Sequence, residues 1–190
     1  MTIEQGVDTD KMAEFVEFAG QNPEQVQFQL SAQSTYEGVC AHSLAKVKAY
    51  QLGDQTIERD TREYTISFGA WREVMDKAGW LEATDRLEPI EAALASLASC
   101  INVGISVNAV ADGVSIDKLQ TNVRADFNPG VLFSLQDVGE SDTVFDNVHA
   151  HIEVVADVDP ERIAEWARRA PVFALVDRGQ NVALDVDMRR

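Results

Sequence analysis

Cysteine is scarce in this chain. Of 190 residues only Cys40 and Cys100 carry a thiol. Two thiols make no disulfide framework, so a reducing, cytoplasmic compartment is the expectation and the core must close without staples. Basic residues are also few: 16 Lys and Arg stand against 32 Asp and Glu, a formal net charge of −16. Nucleic-acid binding needs a basic footprint, and anionic membranes attract the same kind of surface, so both partners are excluded. The three histidines form no pair with a cysteine at zinc-ligand spacing, and no glycine-rich phosphate loop is present. Neither a metal nor a cofactor is expected. Residues 1–6 are neither basic nor continuously apolar, which predicts no secretory signal. Internal repeats and low-complexity tracts are absent.

What the chain does have is one long apolar stretch, from Pro89 to Gly113. Proline suits the first helical turn, where its missing N–H is not needed, and glycine tolerates the left-handed residue that ends a helix. Alanine and leucine fill the interior, and a helix of this length spans about 35 Å. Its only charges, Glu91 and Asp112, sit at its ends, and its polar residues are small: Ser96, Ser99, Asn102, Ser106 and Asn108. A helix apolar all round is buried. Its serines, asparagines and alanines make it too weakly hydrophobic for a membrane span, and its flanks are acidic, so it reads as a core helix.

The rest of the chain supplies elements for that helix to lie among. Thr9–Ala19 reads as a short helix with Met12, Phe15, Val16 and Ala19 on one face, ended by Gly20 and docked on the core. With it, residues 1–22 form a helical appendage and residues 23–190 the main domain. Gln25–Ser31 alternates as a half-buried strand, Tyr36-Glu37-Gly38 as a turn and Val39–Tyr50 as a second strand of a hairpin; Arg62–Phe68 is a third strand. Residues 69–88 are less regular, with Trp71, Met75, Ala78 and Trp80 facing inward and a charged run, 82–88, on the surface. After the long helix come strands at Ile116–Phe127 and Asn147–Ala156, the second with Val148, Ala150, Ile152 and Val154 inward. Asn128-Pro129-Gly130 is a turn. A helix opens at Asp159-Pro160, a short helix or turn follows over Pro171–Val176, and a final strand covers Asn181–Met188. Strands and helices are segregated, so the fold class is α+β.

The run Pro89-Ile90-Glu91-Ala92-Ala93-Leu94-Ala95-Ser96-Leu97-Ala98-Ser99-Cys100 resembles the central-helix signature of the OsmC/Ohr superfamily: a proline, a glutamate within two positions, a Leu/Ala run, and a cysteine eleven residues after the proline. Gly113 followed by Ile116-Asp117-Lys118-Leu119, and the late Ala170-Pro171-Val172-Phe173, fit as well. The resemblance covers about residues 25–188. It implies antiparallel curved sheets around the long central helix in an intertwined homodimer. It further implies reduction of organic hydroperoxides, in which a thiolate attacks the peroxide, becomes a sulfenic acid and is resolved by a second cysteine. Here Ala170 holds the position of that second cysteine, which excludes the family's intramolecular disulfide. Ile90 directly follows the proline where the peroxidase branch has an acid, and Glu91 comes one later. The branch also carries an arginine near the start of the fold; the first two strands have none, and Arg59 and Arg62 are the nearest before the helix.

Cys100 is therefore the candidate catalytic residue, either as a reactive thiol or as the small buried hydrophobe that free cysteine commonly is. It lies three turns into its helix, too deep for that helix's N-terminus to act on it. Glu91 is the second candidate, as a carboxylate orienting an activating arginine or simply as a favourable acid in the first turn. Nine residues at about 100° each put the two on opposite sides of a straight helix. Cys40 is a structural strand cysteine rather than a substitute resolving thiol. His149 and His151 share the outer face of a strand with no third metal ligand nearby, and His42 is isolated. Two functions follow: a single-cysteine hydroperoxide reductase served by an external thiol reductant, or a non-catalytic homodimer binding a small apolar ligand at its interface.

Overall fold

The computed structural model describes residues 3–81, 84–137 and 145–178. They form two compact units, residues 1–93 and 94–190. The mixture of helices and antiparallel sheets is the α+β class expected.

In the first unit β1 (Ile3–Glu4) and β2 (Val7–Asp8) pair antiparallel across a turn at Gln5-Gly6, both with positive φ. The Asp8 carboxylate then accepts the N–H groups of Asp10 and Lys11 at 3.2 and 3.3 Å, which starts α1 (Thr9–Gln21). The expected stop at Gly20 is corrected. The helix runs on to Gln21 because Asn22 takes over the end, its backbone N–H and its side-chain amide both donating to the Phe18 carbonyl. The expected docking of α1 is corrected too: none of its residues is buried, and Phe15 and Val16 lie exposed.

The strand expected over Gln25–Ser31 is mostly not one. Pro23 fixes φ and opens a 3-10 turn (Pro23–Val26), closed by Gln25 N–H to the Asn22 carbonyl at 3.0 Å, so the paired strand is confined to β3 (Phe28–Gln29). The hairpin is built instead from β4 (Gln33–Tyr36) and β5 (Ser43–Val47), with β8 (Tyr64–Phe68) on the far side of β5. Val39–Tyr50 is not one continuous strand. Between Val47 and Tyr50 the chain leaves that sheet, and β6 (Tyr50–Leu52) pairs with β3 and with β7 (Gln55–Ile57), a strand the alternation did not predict. The β6–β7 turn requires glycine: Gly53 has φ +55°, and a Cβ there would sit 3.0 Å from the Gln25 carbonyl oxygen. A short helix, α2 (Arg72–Ala78), ends on Gly79 in the left-handed region and buries Met75 as expected; Ala78, expected inward, is exposed. Residues 82–83 of the charged run lie outside the described residues.

The second unit is built on α3 (Pro89–Ala111) from Leu94 onward. Leu97, Ile101, Ile105 and Ala109 recur every four residues and form its buried stripe. The end predicted at Gly113 is observed: Gly113 N–H reaches the Val110 carbonyl and Val114 N–H the Ala109 carbonyl, the paired bonds of a Schellman motif. Two long strands, β9 (Ile116–Phe127) and β10 (Phe145–Ala156), pair antiparallel with Leu119 opposite Val154 and Val123 opposite Ala150; Leu119, Val123, Ala150, Ile152 and Val154 pack on the stripe. Val148, expected inward, is exposed. A bulge between Asp146 and His149, with Asn147 at positive φ, resets the alternation there. Asp159 caps α4 (Pro160–Arg168), which adds Ile163, Trp166 and Ala167 to the core, and α5 (Pro171–Arg178) follows. The expected strand at 181–188 and the stretch 138–144 lie outside the described residues.

α3 is long and apolar enough to cross a membrane by length and composition. Its buried stripe packs instead on α4 and the β9–β10 hairpin, as a core helix does. The opposite face of α3, carrying Ser96, Ser99, Val103 and Val107, is exposed in the single chain.

Candidate functional site

Cys100 is half-buried on α3 and packs against the cluster of Leu97, Ile101 and Trp166. Its sulfur accepts the backbone N–H of Val172 at 3.4 Å. Val172 is the second residue of α5. N–H groups in a first helical turn have no intrahelical acceptor, and Pro171 before it has none to give, so this donor is free to face the sulfur. A helix N-terminus therefore does reach Cys100, but it belongs to α5, not to α3. The signal in the sequence was Ala170-Pro171, a proline at the first position of a new helix.

Gly104 makes the approach of these elements possible. A Cβ on Gly104 would lie 3.2 Å from both the Ala170 Cβ and the Trp166 carbonyl oxygen. Ala170, at the position the resemblance assigns to a resolving cysteine, is 0% exposed and contributes a methyl group to the core.

The last turn of α3 is tied to α4 by a charged network that sequence reasoning missed. Asp112 accepts from Arg162 Nε at 3.0 Å and from Trp166 Nε1 at 3.2 Å, and pairs again with the Arg162 Nη2. Arg162 and Arg169 both pair with Glu165, and Arg169 donates to Asn108 Oδ1 at 2.8 Å. The hydrogen bond from Arg162 holds the Asp112 carboxyl below its ordinary value. Arg162 and then Arg169 do the same for Glu165, and the two carboxylates raise Arg162. Arginines three residues before and four after Glu165 were legible as helix pairs, but the partner Asp112 lies fifty residues before Arg162 in the chain. Deeper in the same unit, Thr121 donates to Asn102 Oδ1 at 2.7 Å, joining β9 to α3.

The other sequence candidates have partners of their own or lie exposed. Glu91 is exposed, and its carboxylate accepts the Glu88 N–H at 3.1 Å, satisfying a free donor at the start of α3. Cys40 is exposed in the β4–β5 turn, where its carbonyl accepts Trp80 Nε1 at 2.8 Å. His42 is 6% exposed, with Nε2 3.4 Å from Thr84 Oγ1; nothing around it in the sequence marked it for burial. His149 and His151 lie exposed on the outer face of β10, as expected. Among the described residues no group of three or more metal-ligating side chains converges.

The sequence matches the family model for the OsmC-like protein over residues 82–185. No curated protein matches it. Similar solved structures include an OsmC-like protein from Mycoplasma pneumoniae, 16% identical, with 78% of this chain and 87% of that one covered and a TM-score of 0.48. An OsmC-like protein of unknown function from Vibrio cholerae is 12% identical, covers 76% and 91%, and scores 0.48. The matched region begins before α3 and runs through Cys100, the β9–β10 hairpin, α4 and α5, more than half of the sequence. The chain belongs to the OsmC-like protein family.

Proposed function

We propose that this protein is a cytoplasmic, stress-related thiol reductase of organic hydroperoxides that uses Cys100 alone and an external thiol reductant. The observation that carries this reading is the Val172 N–H at the start of α5, aimed at the Cys100 sulfur. The thiolate attacks the distal peroxide oxygen, the O–O bond breaks, and the alkoxide leaves and takes a proton to become the alcohol; the cysteine is now a sulfenic acid. With a buried methyl at Ala170 the next sulfur comes from outside. One molecule of external thiol displaces water from the sulfenic acid to form a mixed disulfide, and a second releases Cys100 and leaves as the oxidised disulfide.

A homodimer belongs to the same reading. The exposed face of α3 carries Ser96, Ser99, Val103 and Val107 with no charged residue between Glu91 and Asp112, and a second copy of the chain would cover it. The test is turnover of a small organic hydroperoxide with a dithiol reductant, in the wild type and in Cys100→Ser. Turnover lost in Cys100→Ser, with a transient adduct of one oxygen on the wild-type thiol, is expected. A native Cys100 that resists a small disulfide reagent at pH 8 overturns it.

One observation favours a second reading, a non-catalytic dimer that binds a small apolar ligand at its interface. Among the described residues the Cys100 side chain packs on apolar side chains, with no charged side chain bonded to its sulfur. An unreactive thiol together with saturable binding of an apolar probe would select this reading.

A further inference from the structure

Arg62 is the oddest cation of the first unit. Its guanidinium carbon lies 4.6 Å from the centre of the Tyr50 ring and 5.8 Å from that of Tyr64. Tyr50 in turn meets Phe28 with ring centres 5.7 Å apart, so Phe28, Tyr50, Arg62 and Tyr64 form a row. The Arg62 Nε is buried and donates to nothing. In a chain with twice as many acids as bases, no described carboxylate pairs with this arginine; Glu63, its neighbour, binds Lys48 at 2.9 Å. A buried, unpaired donor in a folded protein calls for a partner. The two rings flank the guanidinium carbon while the Nε donor has no acceptor, and a guanidinium edge matches a carboxylate in a two-bonded fork. A cavity of about 240 Å³ lined by Gln29, Ser31, Ala49, Tyr50 and Gln51 opens beside the same tyrosine.

We propose that the Tyr50–Arg62–Tyr64 row is a binding site for a small aromatic carboxylate, whose carboxylate takes the Nε edge of Arg62 and whose ring extends the aromatic row. Tyr64, the more distant and half-exposed ring, swings outward to admit it and then stacks on the ligand's ring. The site lies wholly within the first unit and does not depend on any chemistry at Cys100. It asks for a planar anion with an aromatic body, so acetate binds less tightly than benzoate.

The experiment is a titration of the full chain at pH 7 with benzoate, following the Arg62 Nε–H resonance by nitrogen–proton correlation NMR. The resonance is assigned by its disappearance in Arg62→Lys. A saturable movement with benzoate, weaker with acetate and absent with chloride at the same ionic strength, is the expected result. Tyr64→Ala keeps the guanidinium and should weaken benzoate several-fold, which keeps the test open if Arg62→Lys fails to fold. A resonance that does not move, that moves equally with chloride, or an affinity unchanged by Tyr64→Ala overturns the proposal.

Discussion

The two faces of α3 set up a direct test of the proposed dimer. Ile101 is 1% exposed on the inner stripe, and Val103 is 59% exposed on the outer face. Ile101→Ala removes three carbons from a closed core, a transfer loss of about 2.4 kcal/mol at ~0.8 per carbon, and the cavity left behind brings the total to about 3–4 kcal/mol. Val103→Ala removes two carbons, worth about 1.6 kcal/mol if fully buried but only about 0.6 kcal/mol if three-fifths of the side chain is already in water. A second copy seated on this face restores the larger figure and adds a cavity, giving about 2 kcal/mol, and it makes stability depend on protein concentration. Urea unfolding of the wild type and both variants at two protein concentrations about a hundred-fold apart separates the cases. The dimer predicts a wild-type midpoint that rises with concentration and a Val103→Ala loss near 2 kcal/mol. A concentration-independent midpoint with a Val103→Ala loss of about 0.6 kcal/mol or less refutes the covered face. An Ile101→Ala loss below about 1 kcal/mol refutes the inner core itself.

The charged network at the end of α3 predicts an acid-dependent contribution. The folded-state values of Asp112 and Glu165 lie below their ordinary 3.8 and 4.5, so the stabilisation is fully present above the ordinary values and is lost as pH falls through the lower folded values. The stability difference between wild type and Asp112→Asn, measured by thermal melts from pH 7 to pH 2.5, should hold steady near neutrality and shrink only on the acid side. A difference that grows on acidification contradicts the network. Gly104→Val pushes branched carbons against Ala170 and the Trp166 carbonyl; it should cost about 1–3 kcal/mol in denaturant unfolding and expose Trp166 to quenchers. Asn102→Ala leaves the Thr121 hydroxyl without its acceptor in a half-buried site and should cost about 1–2 kcal/mol, while Asn102→Ala with Thr121→Val should recover part of that loss.

Legibility in the sequence follows the range of the interactions. The limits of α3 were readable because they are local: Pro89 at the start, Gly113 at the end and the Ala/Leu run between them act within a few residues of themselves. β9 and β10 were readable as strands, though not as a pair, because one face of each packs on the core and Leu119, Val123, Ala150, Ile152 and Val154 fall on it. The first unit read poorly for the converse reason. Its strands are short, and Gln33–Tyr36 is exposed along its whole length, so no alternation marks it as half of the hairpin. Val26 continued the alternation of Phe28 and Leu30, yet Pro23 three residues earlier had already bent the chain into a 3-10 turn. Ala49 continued the alternation of Ala45 and Val47, yet from Tyr50 the chain belongs to another sheet, a change of partner that periodicity cannot register.

The site divides along the same line. The position of Cys100 was legible from its spacing to Pro89, a one-dimensional pattern. Its surroundings were not, because the donor to its sulfur sits seventy-two residues away at Val172. The one-dimensional reading assigned helix-terminus chemistry to α3, in which Cys100 lies too deep, and so left the thiol without a polar neighbour. Gly104, one turn after Cys100, lets Ala170 and the Trp166 carbonyl close on α3, and Pro171 then opens a helix whose first free N–H faces the sulfur. The same packing that delivers this donor buries Ala170 completely. A thiol that reacts here would have a backbone dipole beside it and a methyl where a partner sulfur would stand, so the electrons that restore it must arrive from another molecule. Under the proposed function, turnover must therefore depend on the kind and concentration of the thiol supplied, and peroxide given without any thiol should stop after a single equivalent on Cys100.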